Sequence, residues 1–201
     1  SNKELYENFS PFLSDCINWK SEKTQFNITP PTTIQSVAGC SVANLLNPNA
    51  IWDVACGSFG KLEVDLIHYL GGLVKWKNNS GVFVFGGTAT NMYGIKLGIN
   101  SCQKDVLKEG INKDIYIISN EEGHSCHVTI CNWLGLGENK CLRIKTNEKG
   151  KVEHSDVLEK AEELFKENKK LACIILNGGT NFNGEIDPIK NVVEGIDSLV
   201  K

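Results

Sequence analysis

Three short stretches carry residue types that could bind or transform a small molecule. The first is Val84-Phe85-Gly86-Gly87-Thr88-Ala89-Thr90-Asn91. An apolar run meets a glycine pair and then a helical pattern, so the backbone can approach a ligand closely and the helix start can offer free N–H groups. Thr88 adds a hydroxyl. Such a site suits a phosphate without any arginine. The same glycine pair also serves as an ordinary strand–helix turn, and it matches neither the P-loop nor the G-x-G-x-x-G dinucleotide pattern. The second stretch is Glu121-Glu122-Gly123-His124-Ser125-Cys126-His127. Its imidazoles could do acid–base or ring-stacking work, or be surface and structural residues. His124, Cys126, His127 and Cys131 crowd together as zinc ligands do. Only His127 and Cys131 share a helix face, however, and no second cluster completes a closed set, so no metal is expected. The third stretch is Asn177-Gly178-Gly179-Thr180-Asn181-Phe182-Asn183-Gly184-Glu185-Ile186-Asp187-Pro188. Glycines and amides lead to an Asp-Pro pair, in which Asp187 reads as a helix N-cap rather than an acid catalyst.

The elements needed to hold these stretches are legible from periodicity. Leu5, Phe9 and Leu13 suggest a short helix within an otherwise irregular segment over residues 1–60. There Pro30-Pro31 and Asn47-Pro48-Asn49 punctuate an extended stretch. Leu62, Leu66, Ile67, Leu70, Leu73 and Val74 give an amphipathic helix of about four turns. Val82-Phe83-Val84-Phe85 reads as a strand buried on both faces. A helix follows through Met92, Ile95 and Ile99. Residues 115–118 form a second strand, with a helix through Val128, Cys131 and Leu134. Residues 142–146 form a third. Ser155 is the expected N-cap of a helix carrying Leu158, Ala161, Leu164 and Phe165. Residues 171–176 form a fourth strand, and a last helix follows Asp187-Pro188. Strand and helix alternate, which predicts an α/β fold with a mainly parallel sheet and flanking helices. Ligands bind such sheets at the carboxyl ends of the strands, where all three stretches fall.

Composition narrows the function classes. The 201 residues are 41% hydrophobic and 22% charged, an ordinary globular balance. A net charge of -3 gives no broad basic face for nucleic acid or an anionic membrane. The 21 basic residues include a single arginine, Arg143, so bidentate grip on phosphate or carboxylate is scarce. Eight cysteines with scattered spacing and no C-x-x-C pair read as reduced thiols of a cytoplasmic protein. Asn27-Ile28-Thr29 and Asn78-Asn79-Ser80 match the glycosylation pattern, which in that compartment is chance. Residues 1–15 show no basic region followed by an apolar run, so no leader peptide is expected. No apolar run is long enough to span a bilayer.

Taken together, and in this order, the three stretches resemble the group II pyridoxal-phosphate-dependent decarboxylases, the family of the glutamate, aromatic amino acid and histidine decarboxylases. That family carries a turn near G-V-F-T-S-G-G-T-E-S-N, here Gly81 through Asn91. It carries S-x-x-x-x-H-x-S with L-G-x-G ten residues beyond the histidine, here Ser119, His124 and Leu134-Gly135-Leu136-Gly137. It carries G-T-T-x-x-G-x-x-D-P, here Gly179 through Pro188. The resemblance runs from about residue 40 to the end. It implies the large domain of a fold-type I enzyme and pyridoxal 5'-phosphate as cofactor. Gly87 and Thr88 would hold the cofactor phosphate, and His124 would stack on the pyridine ring. Asn181 would lie near the ring and substrate carboxylate, in place of the family's usual Thr. Ala89 replaces a frequent acidic residue.

The resemblance also implies what these residues lack. The family continues into a D-A-x-x-G strand, whose Asp pairs with the pyridine nitrogen, and then an H-K pair whose Lys attaches the cofactor. No lysine here stands in an S-x-x-x-H-K context. The electron-sink chemistry of the cofactor needs both groups. The expectation is an enzyme fragment. Residues 1–60 would be an N-terminal segment of dimer-interface type. Residues 61–201 would be the first part of the cofactor-binding domain, inactive alone in removing carbon dioxide from an L-amino acid. The intact enzyme would be a homodimer acting on a small amino acid. The alternatives are another carbon–carbon lyase using the same cofactor, such as a sphingosine phosphate lyase, or a non-catalytic scaffold or split subunit.

Overall fold

The computed structural model describes residues 2–18, 21–24, 30–49 and 51–200, apart from the side chain of Asp53. The Asn27-Ile28-Thr29 sequon lies outside the described residues. The chain forms two compact units, Ser1–Val82 and Phe83–Lys201.

The first unit is helical where it is regular. α1 spans Asn2–Ser14, as the spacing of Leu5, Phe9 and Leu13 predicts. The stretch expected to be extended instead contains α2, Ile34–Leu46. The prolines bound this helix rather than preventing it. Thr33 follows Pro31 and accepts the Ser36 N–H on its hydroxyl at 3.2 Å. Asn47 closes the other end at φ 42°, a left-handed stop just before Pro48. A short α3, Asp53–Cys56, leads to α4, Ser58–Leu73, the predicted amphipathic helix. Beyond α4, Asn79 Oδ1 accepts from His68 Nδ1 at 2.9 Å and Asn79 Nδ2 donates to the Trp76 carbonyl at 2.8 Å. A Cβ on Gly71 would stand 2.2 Å from the Asn79 amide, so this tight return needs glycine.

The second unit is a layered α/β body. α5 runs Gly86–Cys102, followed by a single turn, α6, at Val106–Glu109. β1 is Ile115–Asn120, α7 Cys126–Trp133 and β2 Cys141–Ile144. α8 is His154–Lys166, β3 Lys170–Ile175 and α9 Ile189–Leu199. The strands are parallel in the order β2-β1-β3. Central β1 is buried on both faces, which is why it reads as an unbroken apolar run. On one face Ile95 and Ile99 of α5 and Ile130 and Cys131 of α7 pack against Ile115, Ile117 and Cys141. On the other, Val157, Ala161 and Leu164 of α8 and Val192 of α9 pack against Ile118 and Ile144.

Three local expectations change. Val82-Phe83-Val84-Phe85 is not a strand: it belongs to no ladder among the described residues, and Phe85 is 83% exposed. Apolar content supplies a strand only when another strand lies beside it. The N-cap of α8 is Glu153 rather than Ser155, whose hydroxyl instead donates to Asp156 at 3.1 Å. The N-cap of α9 is Pro188, and Asp187 does not cap it with its side chain.

Candidate functional site

α5 crosses the sheet from its carboxyl edge toward its amino edge. Asn91, in its second turn, donates to Cys126 Sγ at 3.3 Å, at the start of α7. Gly98, two turns later, lies over the beginning of β3, where a Cβ would come within 2.3 Å of the Ala172 carbonyl oxygen. Close helix–strand contact therefore depends on that glycine, and it points the N-terminus of α5 at the carboxyl edge. There Phe85 is the N-cap without any side-chain cap, and Gly86 adopts φ 72°. The first N–H groups of a helix have no intrahelical partner, and the peptide dipoles add positive potential. A Cβ at Gly86 or Gly87 would meet nothing within 4 Å, so open space faces these groups. Thr88 is half-buried beside them.

His124 stands in the loop after β1, with an exposed ring. Its Nδ1 accepts the Cys126 N–H at 3.1 Å. That bond directs the neutral ring's proton to Nε2. The loop behind it is tightly held. Asn120 Oδ1 accepts the Glu122 N–H at 2.7 Å, and the Asn120 carbonyl accepts the Gly123 N–H at 3.0 Å. A Cβ on Gly123 would lie 2.9 Å from that same carbonyl and 3.2 Å from the His127 ring, so the loop requires glycine there. His127 itself is buried, and its pKa is lowered to about 4 by desolvation, with lesser repulsion from His124 and Arg143. It is a neutral core residue at pH 7.

Asp187 proves to be the knot of this edge. Its buried carboxylate accepts from Asn120 Nδ2 at 2.9 and 3.2 Å, from the Val152 N–H at 3.2 Å and from the Asn177 N–H at 2.7 Å. It joins the ends of β1 and β3 to the turn bounded by the Thr146–Val152 bridge. The loop after β3 closes through a Gly178–Ile186 bridge, and Asn181 is exposed on it. Asn183 ties the loop to the neighbouring turn by donating to the Lys149 carbonyl at 2.7 Å. At the base of the loop, Asn177 Nδ2 is buried without a partner.

All four residues singled out in the sequence, Gly87, Thr88, His124 and Asn181, thus lie on loops or helix starts at one sheet edge. The roles of Asn120, Gly123 and Arg143 in holding this loop were not evident from the sequence, and Asp187 serves otherwise than as the expected cap. A Gly two residues before Ser125-Cys126 and an Asn ending an apolar strand were the only local signals. Among the described residues no three His, Cys, Asp or Glu side chains converge on a metal position. The eight cysteines are free thiols. Cys131, Cys141 and Cys173 lie within or against the core under α7, where burial pushes Cys173 up to about 12. Among the described residues no helix is long and apolar enough to cross a membrane.

The edge can hold an anion on the α5 start and a flat ring against His124. In sequence and in fold the chain is similar to known decarboxylases. L-2,4-diaminobutyrate decarboxylase of Acinetobacter baumannii is 28% identical over 183 residues, covering 82% of this chain and 35% of the relative. Human cysteine sulfinic acid decarboxylase is 24% identical over 164 residues, covering 79% of this chain and 33% of the relative. The crystal structure of mouse CSAD in apo form superposes with a TM-score of 0.91 at 20% identity, covering 98% of this chain and 42% of that one. The fold is that of the fold-type I decarboxylases. The chain spans about a third of the length of the curated relatives it matches. No family model matches it.

Proposed function

We propose that these residues form the cofactor-holding part of a pyridoxal-phosphate-dependent carboxy-lyase that releases the α-carboxylate of a small L-amino acid as carbon dioxide. The observation that carries this reading is the open, glycine-lined start of α5 on the same sheet edge as the anchored ring of His124. The donor set fits the group. The first-turn N–H groups at Gly87 and Thr88 and the Thr88 hydroxyl would bind the phosphate without an arginine. His124 would lie on the pyridine ring, with its Nε2 proton available to the substrate side. Asn181 would orient ring or carboxylate by hydrogen bonding, and Asn177 Nδ2 is a further donor in want of an acceptor. When bound, pyridoxal phosphate supplies the electron sink for the pair left by the departing carboxylate. The curated relatives are decarboxylases of small amino acids, which supports that substrate class.

The same reading extends to assembly and compartment. Leu5, Phe9, Phe12 and Leu13 of α1 are exposed apolar residues, the kind of face a homodimer covers. Residues 1–60 are accordingly assigned to a dimer-interface segment and residues 61–201 to the cofactor domain. Exposed Cys16 and Cys40 suit a reducing cytoplasm.

Titration of the 201-residue chain with pyridoxal phosphate, followed by cofactor fluorescence, tests the site. Saturable, borohydride-insensitive binding is expected. Thr88→Val should weaken it about tenfold, the scale of one hydrogen bond to a charged group. Gly87→Asp should abolish it. Equal affinity in all three proteins would overturn the assignment. No carbon dioxide release is expected from these residues alone.

A further inference from the structure

Arg143, the only arginine, lies on β2 opposite Ser119 of β1. Its side chain is on the α7 face of the sheet, with that of Cys141 two residues earlier. Nη2 donates to the carbonyl oxygen of Glu121 and, at 3.4 Å, to that of Gly123. These two carbonyls flank Glu122 and end one residue before His124. The N–H groups of the loop from Glu121 to Gly123 are held from elsewhere. The Glu121 N–H donates to the Ile144 carbonyl at 3.0 Å, and the Glu122 and Gly123 N–H groups go to Asn120. The Glu121 carboxylate meanwhile accepts the Thr146 N–H at 2.8 Å, which binds loop and β2 end from the other side. The two carbonyls are thus left to Arg143.

We propose that Arg143 is a positioning residue that clamps the Glu121 and Gly123 carbonyls and so sets the plane of the His124 ring. The inference rests on the proposed cofactor site for its purpose, but the clamp itself is a property of the free chain. Both contacts leave one nitrogen of a planar guanidinium, which holds its two N–H bonds at a fixed angle in one plane, whereas a lysine ammonium on a flexible stem is not held in that plane. Because Arg143 is exposed, its replacement removes no core packing. Its effect should be confined to the loop.

The experiment compares wild type, Arg143→Gln and Arg143→Lys. Amide hydrogen exchange and imidazole nitrogen-15 spectra of the free chain are recorded, then pyridoxal phosphate and inorganic phosphate are titrated. In Arg143→Gln the Cys126 amide, donor to His124, should exchange about tenfold faster, the scale of one lost hydrogen bond. The His124 spectrum should lose its single Nε2-protonated form, while the Ile117 and Ile118 amides of β1 stay protected. Pyridoxal phosphate should bind about tenfold more weakly and inorganic phosphate unchanged. Arg143→Lys should fall between the two. An unchanged Cys126 amide and His124 spectrum in Arg143→Gln would overturn the clamp. So would equal acceleration of the β1 amides, or full function in Arg143→Lys. If wild type binds no pyridoxal phosphate while the loop responds as stated, the cofactor reading fails and the clamp stands.

Discussion

α1 and α8 are both 13-residue helices with a marked apolar face, yet they end in opposite situations. α8, in the second unit, buries Val157, Ala161 and Leu164 against Ile118 and Ile144 of the sheet. α1, in the first unit, buries no residue, and Phe12 is 75% exposed. The helical pattern is therefore not what separates core from surface. A parallel sheet offers a flat apolar face with its backbone already paired, and α8 has one to lie on. The first unit builds helices by spacing and caps alone, so its apolar stripes stay available.

That contrast can be broken or sharpened by substitution. Urea unfolding of the full chain should show the largest loss for Ile118→Ala, about 4 kcal/mol, the range for emptying a fully buried isoleucine site. Asp187→Ala follows at about 3 kcal/mol, since donors from Asn120, Val152 and Asn177 lose their acceptor together. A loss below ~1 kcal/mol would mean that water replaces the carboxylate and that Asp187 is no knot. Gly98→Ala should cost about 2 kcal/mol, because its Cβ collides with the backbone oxygen of Ala172. It should also lift α5 and weaken pyridoxal phosphate binding. Phe12→Ser should change the unfolding free energy of the dilute chain by less than ~0.5 kcal/mol. A large loss there would show that the first unit depends on its apolar stripe for its own fold.

A pH dependence probes the second unit from within. His127 titrates near 4 when folded and near 6.5 when unfolded. The unfolded chain thus takes up a proton between those values that the folded chain refuses. Stability from this group is complete above pH 6.5 and declines as pH falls toward 4. His127→Phe should flatten that part of the profile. An unaltered profile would show that the imidazole reaches solvent in the folded state.

How far the site was legible depended on the range of the interactions. The glycine turn at Gly86-Gly87 and the placement of His124 after a buried strand were readable because both are events of a few consecutive residues. Asp187 beside Pro188 carried a strong local signature for a helix cap, and the structure uses it otherwise. Its three-way bonding to Asn120, Val152 and Asn177 spans residues far apart in the chain, and no local pattern encodes that. Arg143 was conspicuous by rarity, yet its partners are backbone carbonyls, which leave no mark in a sequence.

By itself the sequence determined periodicity and punctuation: α1, α4, α5, α7 and the three paired strands follow from the spacing of apolar residues and from Gly and Pro. It also determined the order of the three chemical stretches. Tertiary structure alone decided which extended runs became strands and which polar groups became anchors. Val82-Phe83-Val84-Phe85 has every local mark of a buried strand and forms no ladder among the described residues, while β1, which opens on a comparable apolar run at Ile115–Ile118, sits between two neighbours. The reason is that a helix satisfies its backbone within itself, whereas a strand's N–H and C=O groups are satisfied only by another strand brought alongside.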